Sequence, residues 1–212
     1  MRAIWLGSFL TDTVYLTAGA LTSRFVGSPL QRAMARGRYR RLAPRYDADV
    51  VPQAGYFDAL AAALDRLPAA PGLALDVSTG TGAAMGLLVR RFPGCRGVAV
   101  DLSPAMLQHA VQRGRREGWP VTFAVADAAR LPFADRTFDL VTVQNAFPVP
   151  RELVRVTRPG GWIVLSYSTG GPAVPWVARA LLRRLQQLGC TVAETQPAGP
   201  GRYFLARRGE VR

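Results

Sequence analysis

The sequence predicts an α/β fold, a doubly wound and largely parallel sheet preceded by an N-terminal helical arm. Three observations predict it. From Pro71 onward, short apolar runs alternate with segments of helical periodicity. A glycine-rich turn, Ser78-Thr79-Gly80-Thr81-Gly82, follows the first run directly and opens a helix. An aspartate, Asp101, ends the second run. Such alternation buries strands under helices on both faces and puts a ligand at the carboxyl ends of the strands.

The strands are expected at Leu73–Val77, Gly97–Val100, Val121–Val125, Phe138–Val143 and Trp162–Leu165, each a short, nearly unbroken apolar run. Helices are expected at Ala83–Arg91 and Pro104–Glu117. Ser103 supplies an N-cap for the second and Pro104 its first helical residue. A further helix, Val174–Leu188, closes on Gly189. Two late strands, Thr191–Thr195 and Arg202–Ala206, flank a hairpin connection over residues 197–201.

The 212 residues suffice for one domain with an arm, and 49% hydrophobic content against 19% charged excludes a disordered chain. Two cysteines, Cys95 and Cys190, and a single histidine, His109, give no disulfide framework and no metal-ligand spacing. Both thiols read as buried and inert, as in a reducing cytoplasm. All 27 cations are arginine, a compositional bias that weakens the net charge of +13 as a sign of nucleic-acid binding. The charge is uneven: residues 1–45 hold eight arginines against Asp12 alone.

In the turn after the first strand, Gly80 and Gly82 let the main chain bend tightly and approach a ligand. Asp101, 25 residues after Asp76, ends the next strand, where a carboxylate can accept from both ribose hydroxyls of a nucleoside. Asp127, in Ala126-Asp127-Ala128 after the third strand, can take the exocyclic amine of an adenine. The plain alternative is an ordinary strand-to-helix turn with Asp76 as a strand-end cap.

These residues resemble the class I S-adenosylmethionine-dependent methyltransferases, above all the small-molecule group that includes quinone-biosynthesis C-methyltransferases. Asp76 to Gly82 looks like the first motif of that family, and Val98 to Leu107 like the second. Asp127 to Val141 is similar to the third, Glu152 to Gly161 to the segment entering the fifth strand, and Tyr39 to Asp47 to a stretch before the sheet. The resemblance runs over roughly residues 39–208. It implies a Rossmann-like seven-stranded sheet in the order 3-2-1-4-5-7-6 and S-adenosyl-L-methionine as cofactor. It implies an arm over 1–45 and a cofactor-binding domain over 46–212. By the same resemblance Ser78, Thr79, Gly80 and Gly82 line the methionine part of the cofactor, Asp101 the ribose, and Asp127 with Ala128 the adenine. Leu102 packs on the adenine ring, Met106 stands with the cofactor-contacting residues, and Tyr46 leans over the site. Asp76 orients the glycine loop or holds the amino group through water.

The chain departs from that pattern in places. Ser78 stands where the first glycine is usual, and a small residue is expected to fit. Phe147-Pro148-Val149-Pro150 replaces much of a helix that roofs the acceptor site, so the acceptor pocket is expected to be open or built by the arm. Methyl transfer from a sulfonium is an in-line displacement, for which orientation alone can supply roughly 7–11 kcal/mol. No strong general base is evident, and His109 falls mid-helix on a solvated face. Asn145, ending the fourth strand, is the candidate catalytic and acceptor-side residue, also counted with the cofactor contacts.

Residues 3–26 recur near helical spacing around Asp12, which suits an amphipathic helix better than a spanning one. Six arginines follow between Arg32 and Arg45. The arm therefore reads as a solvated helix face, as a contact for an anionic membrane surface, as a pairing element for two copies, or as a track along nucleic acid. Few aromatics interleave for base stacking, which disfavours the last. The sequence favours methyl transfer to a small, apolar or lipid-like acceptor. The rivals are a non-catalytic cofactor-binding partner protein and an RNA methyltransferase.

Overall fold

The computed structural model describes residues 28–169 and 175–210. The amphipathic segment expected over residues 3–26 lies outside them, as does Val174. Six helices and seven strands follow one another in these residues: α1 (Pro29–Asp49), α2 (Asp58–Asp65), β1 (Leu73–Val77), α3 (Ala83–Arg91), β2 (Arg96–Asp101), α4 (Pro104–Glu117), β3 (Val121–Val125), β4 (Phe138–Gln144), α5 (Pro150–Val156), β5 (Thr157–Tyr167), α6 (Pro175–Gln187), β6 (Cys190–Ala198) and β7 (Gly201–Arg208).

The strands form one sheet in the order β3-β2-β1-β4-β5-β7-β6, as expected. β1 to β5 are parallel, and β7 runs antiparallel between β5 and β6. Both faces are covered. On one, Ala74, Ala99, Leu140, Val164 and Leu205 pack with Leu60 and Leu64 of α2 and with Met85 and Leu88 of α3. On the other, Leu75, Val77, Val141, Val143, Ile163 and Phe204 pack with Leu153 and Val156 of α5 and Leu185 of α6. Alternate residues of one strand thus serve two cores, which is why the strands read as continuous apolar runs.

Local chemistry sets the ends of the helices. The Ser103 side chain accepts from the Met106 amide at the start of α4, and Gly118, in a left-handed conformation, ends it. Ser28 caps α1 in the same way through the Gln31 amide, with Pro29 in the first helical turn. The C-terminus of α5 is satisfied by Arg208, whose Nη1 donates to the carbonyls of Val154 (2.7 Å), Arg155 (3.0 Å) and Thr157.

Two regions differ from expectation. β6 and β7 run further toward each other than predicted and leave only Gly199 and Pro200 between them. Pro197 falls inside β6 because this is the outermost strand, where a missing amide is tolerated. β5 begins at Thr157, so the Pro159-Gly160-Gly161 segment belongs to the strand, with an irregular register opposite β4. Helix α1 runs unbroken through residue 45.

Candidate functional site

β1 and β4 are neighbours, and their carboxyl ends open beneath α1 into a narrow cleft. Asp76 and Thr142 are paired in register, so both side chains lie on the face that carries α2 and α3. Asp76 forms the floor and is only 1% exposed. Its oxygens each accept a threonine hydroxyl, from Thr79 at 2.6 Å and from Thr142 at 2.8 Å. Burial outweighs these two bonds, and the nearby Asp101 carboxylate adds to it, so the Asp76 carboxyl is pushed up to about 6.

The glycine loop makes the next wall. Ser78 has φ +60°, Gly80 +59° and Gly82 +80°. A side chain added at Gly80 would meet nothing within 4 Å, so the bare main chain there faces open space for a ligand. Gly82 plays a different part: it starts α3 against Ala110 of α4, where a Cβ would come within 3.1 Å. The Gly80 amide donates to Asp101 at 2.8 Å, and the Ser103 amide donates to the other Asp101 oxygen at 2.8 Å. Burial raises the Asp101 pKa, and those amide donors work against the rise.

The roof comes from α1 and the loop after it. Tyr46 and Tyr56 place their hydroxyls 3.3 Å apart over the cleft. Burial raises both phenols, so both are protonated at neutral pH. Asp47 ties the roof down, accepting from the Thr81 hydroxyl at 2.5 Å and pairing with Arg113 of α4 at 2.5 Å. Further along α1, Arg32 pairs with Asp127 at 3.2 Å. Asp127 also accepts from the Ala129 amide at 2.9 Å, which shapes the turn after β3. That turn is anchored by Arg155, which donates to the Leu131 and Phe133 carbonyls and pairs with Glu152 and Asp135.

Of the residues singled out in the sequence, Tyr46, Asp76, Ser78, Thr79 and Gly80 line the cleft. Gly82, Asp101, Leu102, Met106, Asp127, Ala128 and Asn145 do not, although Asp101 is bonded to the loop that does. Met106 is enclosed, at 1% exposure, and Ala128 packs on the second core. Asn145 sits beside the cleft with φ +53°, and its amide is bonded to Ser168 and also reaches the Tyr56 hydroxyl. Nδ2 donates to the Ser168 hydroxyl at 2.9 Å, and Oδ1 accepts from the Ser168 amide at 2.8 Å. His109 is half-buried on α4 and does not line the cleft. Cys95 and Cys190 are buried thiols, both pushed up to about 11 by burial. No group of acids, histidines and cysteines suited to a metal occurs among the described residues.

Five further cleft residues, Tyr56, Thr81, Ala83, Ala84 and Gln144, were not singled out from the sequence as site residues. Gln144 carried a usable signal: a polar residue ending an apolar strand run, at the edge where such sheets bind ligands. Tyr56 carried none, since its place depends on how the loop between α1 and α2 folds back over β4.

A glycine loop after the first strand, buried acids at the ends of the first two strands and this strand order together form the arrangement seen in S-adenosylmethionine-dependent methyltransferase domains. Residues 74–161 match the family model described as Methyltransferase domain. The chain is 40% identical over 106 residues to demethylmenaquinone methyltransferase of Thermus thermophilus, covering 47% of this chain and 48% of that one. It is 38% identical over 155 residues to malonyl-[acyl-carrier protein] O-methyltransferase of a Marinomonas species, covering 66% and 56%. The chain spans about half the length of these curated relatives. Its fold is shared with a solved SAM-dependent methyltransferase from Aquifex aeolicus, with a TM-score of 0.61 at 17% identity, covering 81% of this chain and 97% of that one. The cofactor of such a domain is S-adenosyl-L-methionine, and the bare main chain at Gly80 faces open space.

Proposed function

We propose that this protein transfers a methyl group from S-adenosylmethionine to a small apolar acceptor by in-line displacement. The observation that carries the reading is the cleft at the ends of β1 and β4, where an open glycine loop meets the buried Asp76 beneath a tyrosine roof. In this reading Ser78, Thr79 and Gly80 surround the amino-acid part of the cofactor, and Asp101 takes the ribose. Asp127 and Ala128 take the adenine, Leu102 packs on its ring, and Tyr46 covers the site. When bound, the cofactor supplies a methyl group on a good leaving group. The chain supplies position and dryness: Asp76 and the loop fix one end, and the two tyrosines exclude water. The phenols hold their protons, so neither serves as a base at neutral pH, and the rate rests on alignment. Asn145, locked to Ser168, holds the end of β4 on the acceptor side.

Relatives named for demethylmenaquinone favour a quinol ring carbon as acceptor, with a malonyl thioester of acyl-carrier protein as the competing choice. The test is transfer of tritiated methyl to a naphthoquinol lacking its ring methyl, to malonyl-acyl-carrier protein, and to RNA. Label in the extracted naphthoquinol is expected. Label in RNA instead would overturn the reading. Binding of S-adenosylhomocysteine with no transfer to any of the three would favour a non-catalytic cofactor-binding protein.

A membrane role for the arm has its own support. Leu30 and Met34 are 63% and 47% exposed, one turn apart on α1, and the exposed Arg41 and Arg45 fall on the same narrow stripe of the helix. Flotation with phosphatidylglycerol vesicles but not with phosphatidylcholine vesicles is expected. Equal recovery with both lipids would refute it. No helix among the described residues is long and apolar enough to cross a membrane.

A further inference from the structure

Gln144 is the last residue of β4, two positions beyond Thr142, so its side chain lies on the same face as Asp76 and enters the cleft. Its Nε2 donates to the Tyr56 carbonyl at 2.8 Å. That bond also fixes which way round the amide stands, because a carbonyl partner demands the nitrogen. The other end, Oε1, is buried without any partner, in a residue only 8% exposed. Ser166, beside it in register on β5, also has an unpartnered hydroxyl, but it does not line the cleft. A buried acceptor left unpaired is costly in a folded protein, and here it belongs to a residue that lines a ligand site.

The surroundings decide what kind of donor fits. Asp76 lies on the floor of the same cleft, and the Asp101 carboxylate adds negative field to it. Among the described residues lining the cleft there is no arginine. The nearest ones in the roof contacts, Arg113 and Arg32, are paired with Asp47 and Asp127. An anionic group would meet a carboxylate and a carbonyl oxygen there, whereas a cationic N–H donor would satisfy both. S-adenosylmethionine carries one such group, the ammonium of its amino-acid head. We propose that Gln144 Oε1 accepts a hydrogen bond from that ammonium, making Gln144 a determinant of affinity for the amino-acid head of the cofactor. The proposal rests on the cofactor reading of this cleft.

The test compares three probes by calorimetric titration: S-adenosylhomocysteine, its deaminated analogue that keeps the carboxylate, and 5′-methylthioadenosine, which has no amino-acid head. The proteins are wild type, Gln144→Met and Gln144→Glu, with thermal melting to confirm folding. A hydrogen bond to a charged group predicts that Gln144→Met weakens S-adenosylhomocysteine roughly 10- to 100-fold. The other two probes should change less than about twofold in Gln144→Met, since neither carries the ammonium. Gln144→Glu keeps an acceptor for the ammonium but loses the donor to the Tyr56 carbonyl, so its preference for S-adenosylhomocysteine over 5′-methylthioadenosine should be at least that of wild type, which keeps the proposal testable if the methionine variant fails to fold. An unchanged S-adenosylhomocysteine affinity in Gln144→Met overturns it. Equal weakening of 5′-methylthioadenosine also overturns it, because Gln144 would then act only by holding the Tyr56 loop. Equal weakening of the deaminated analogue removes the ammonium as partner. Wild-type protein that binds none of the probes fails at the earlier step, and the cofactor reading falls with the proposal.

Discussion

Asp76→Asn should make the ligand-free protein more stable at neutral pH while leaving it unchanged in acid. The folded chain raises this carboxyl from the ordinary 3.8 to about 6, chiefly because it is buried. A proton held more tightly in the folded state means that stability falls as pH rises between those two values and is level above them. At roughly 1.36 kcal/mol per pH unit, the charged Asp76 costs about 3 kcal/mol at pH 7.5. Asparagine fills the same space without the charge, and the Thr79 and Thr142 hydroxyls can bond to an amide as donor or acceptor. Urea unfolding followed by circular dichroism at pH 4, 5, 6 and 7.5 measures the gap between variant and wild type. It should be near zero at pH 4 and reach about 3 kcal/mol at pH 7.5, or roughly 6–12 °C in melting temperature for a chain of this size. A gap independent of pH, or a variant less stable at pH 7.5, would refute the reasoning. Either result would mean that the two threonine hydroxyls compensate the buried charge fully.

Ser78→Gly removes a side chain from a left-handed backbone position, φ +60°, at a strain of roughly 1–2 kcal/mol. Glycine's extra freedom in the unfolded chain offsets about half of that. Thermal melting should therefore rise by a few degrees, and a fall would show that the serine hydroxyl matters more than its backbone. Arg32→Ala frees Asp127 from a half-exposed ion pair, so S-adenosylhomocysteine should bind about two- to fivefold more tightly if Asp127 takes the adenine. Calorimetry showing weaker binding would instead make Arg32 a ligand contact. Arg155→Met strips the Leu131 and Phe133 carbonyls of their donor and leaves Glu152 unpaired, at a cost of about 3 kcal/mol. Hydrogen exchange should then speed up over residues 131–135, and unchanged protection would contradict the anchoring role of Arg155.

Much of the fold could be read because its signals are local. Ser103-Pro104 marked the start of α4, Gly118 and Gly189 stand in left-handed turns after helices, and β1 and β3 coincide with their apolar runs. The strands past residue 157 were harder to read. Pro159 and Gly160 look like a turn, and they lie in β5 at an irregularity, between the Phe138–Thr157 and Leu140–Trp162 pairs of the ladder with β4. In the site, the acids and glycines announce themselves by type and position. Gln144 could be read as a polar strand end, but its partner Tyr56 stands on a loop that folds back over β4, which no linear pattern encodes. Ser78 shows a subtler limit. Size suggests that serine replaces glycine freely, but the backbone angle at that position is what glycine relieves. Asn145 was legible as a strand-end residue, while its commitment to Ser168 depends on the adjacent strand.

Helix α1 buries Ala43 against the domain, and its polar contacts there include Asp47 on Thr81 and Arg113, Arg32 on Asp127, and one tyrosine hydroxyl on another. A helix held this way can detach as a unit at a fraction of the free energy that global unfolding requires. Salt is expected to loosen the ion pairs of that contact but not the cores of the sheet. Asp47 grips the glycine loop and α4 together, so each undocking of the helix also releases the loop that must close around a ligand.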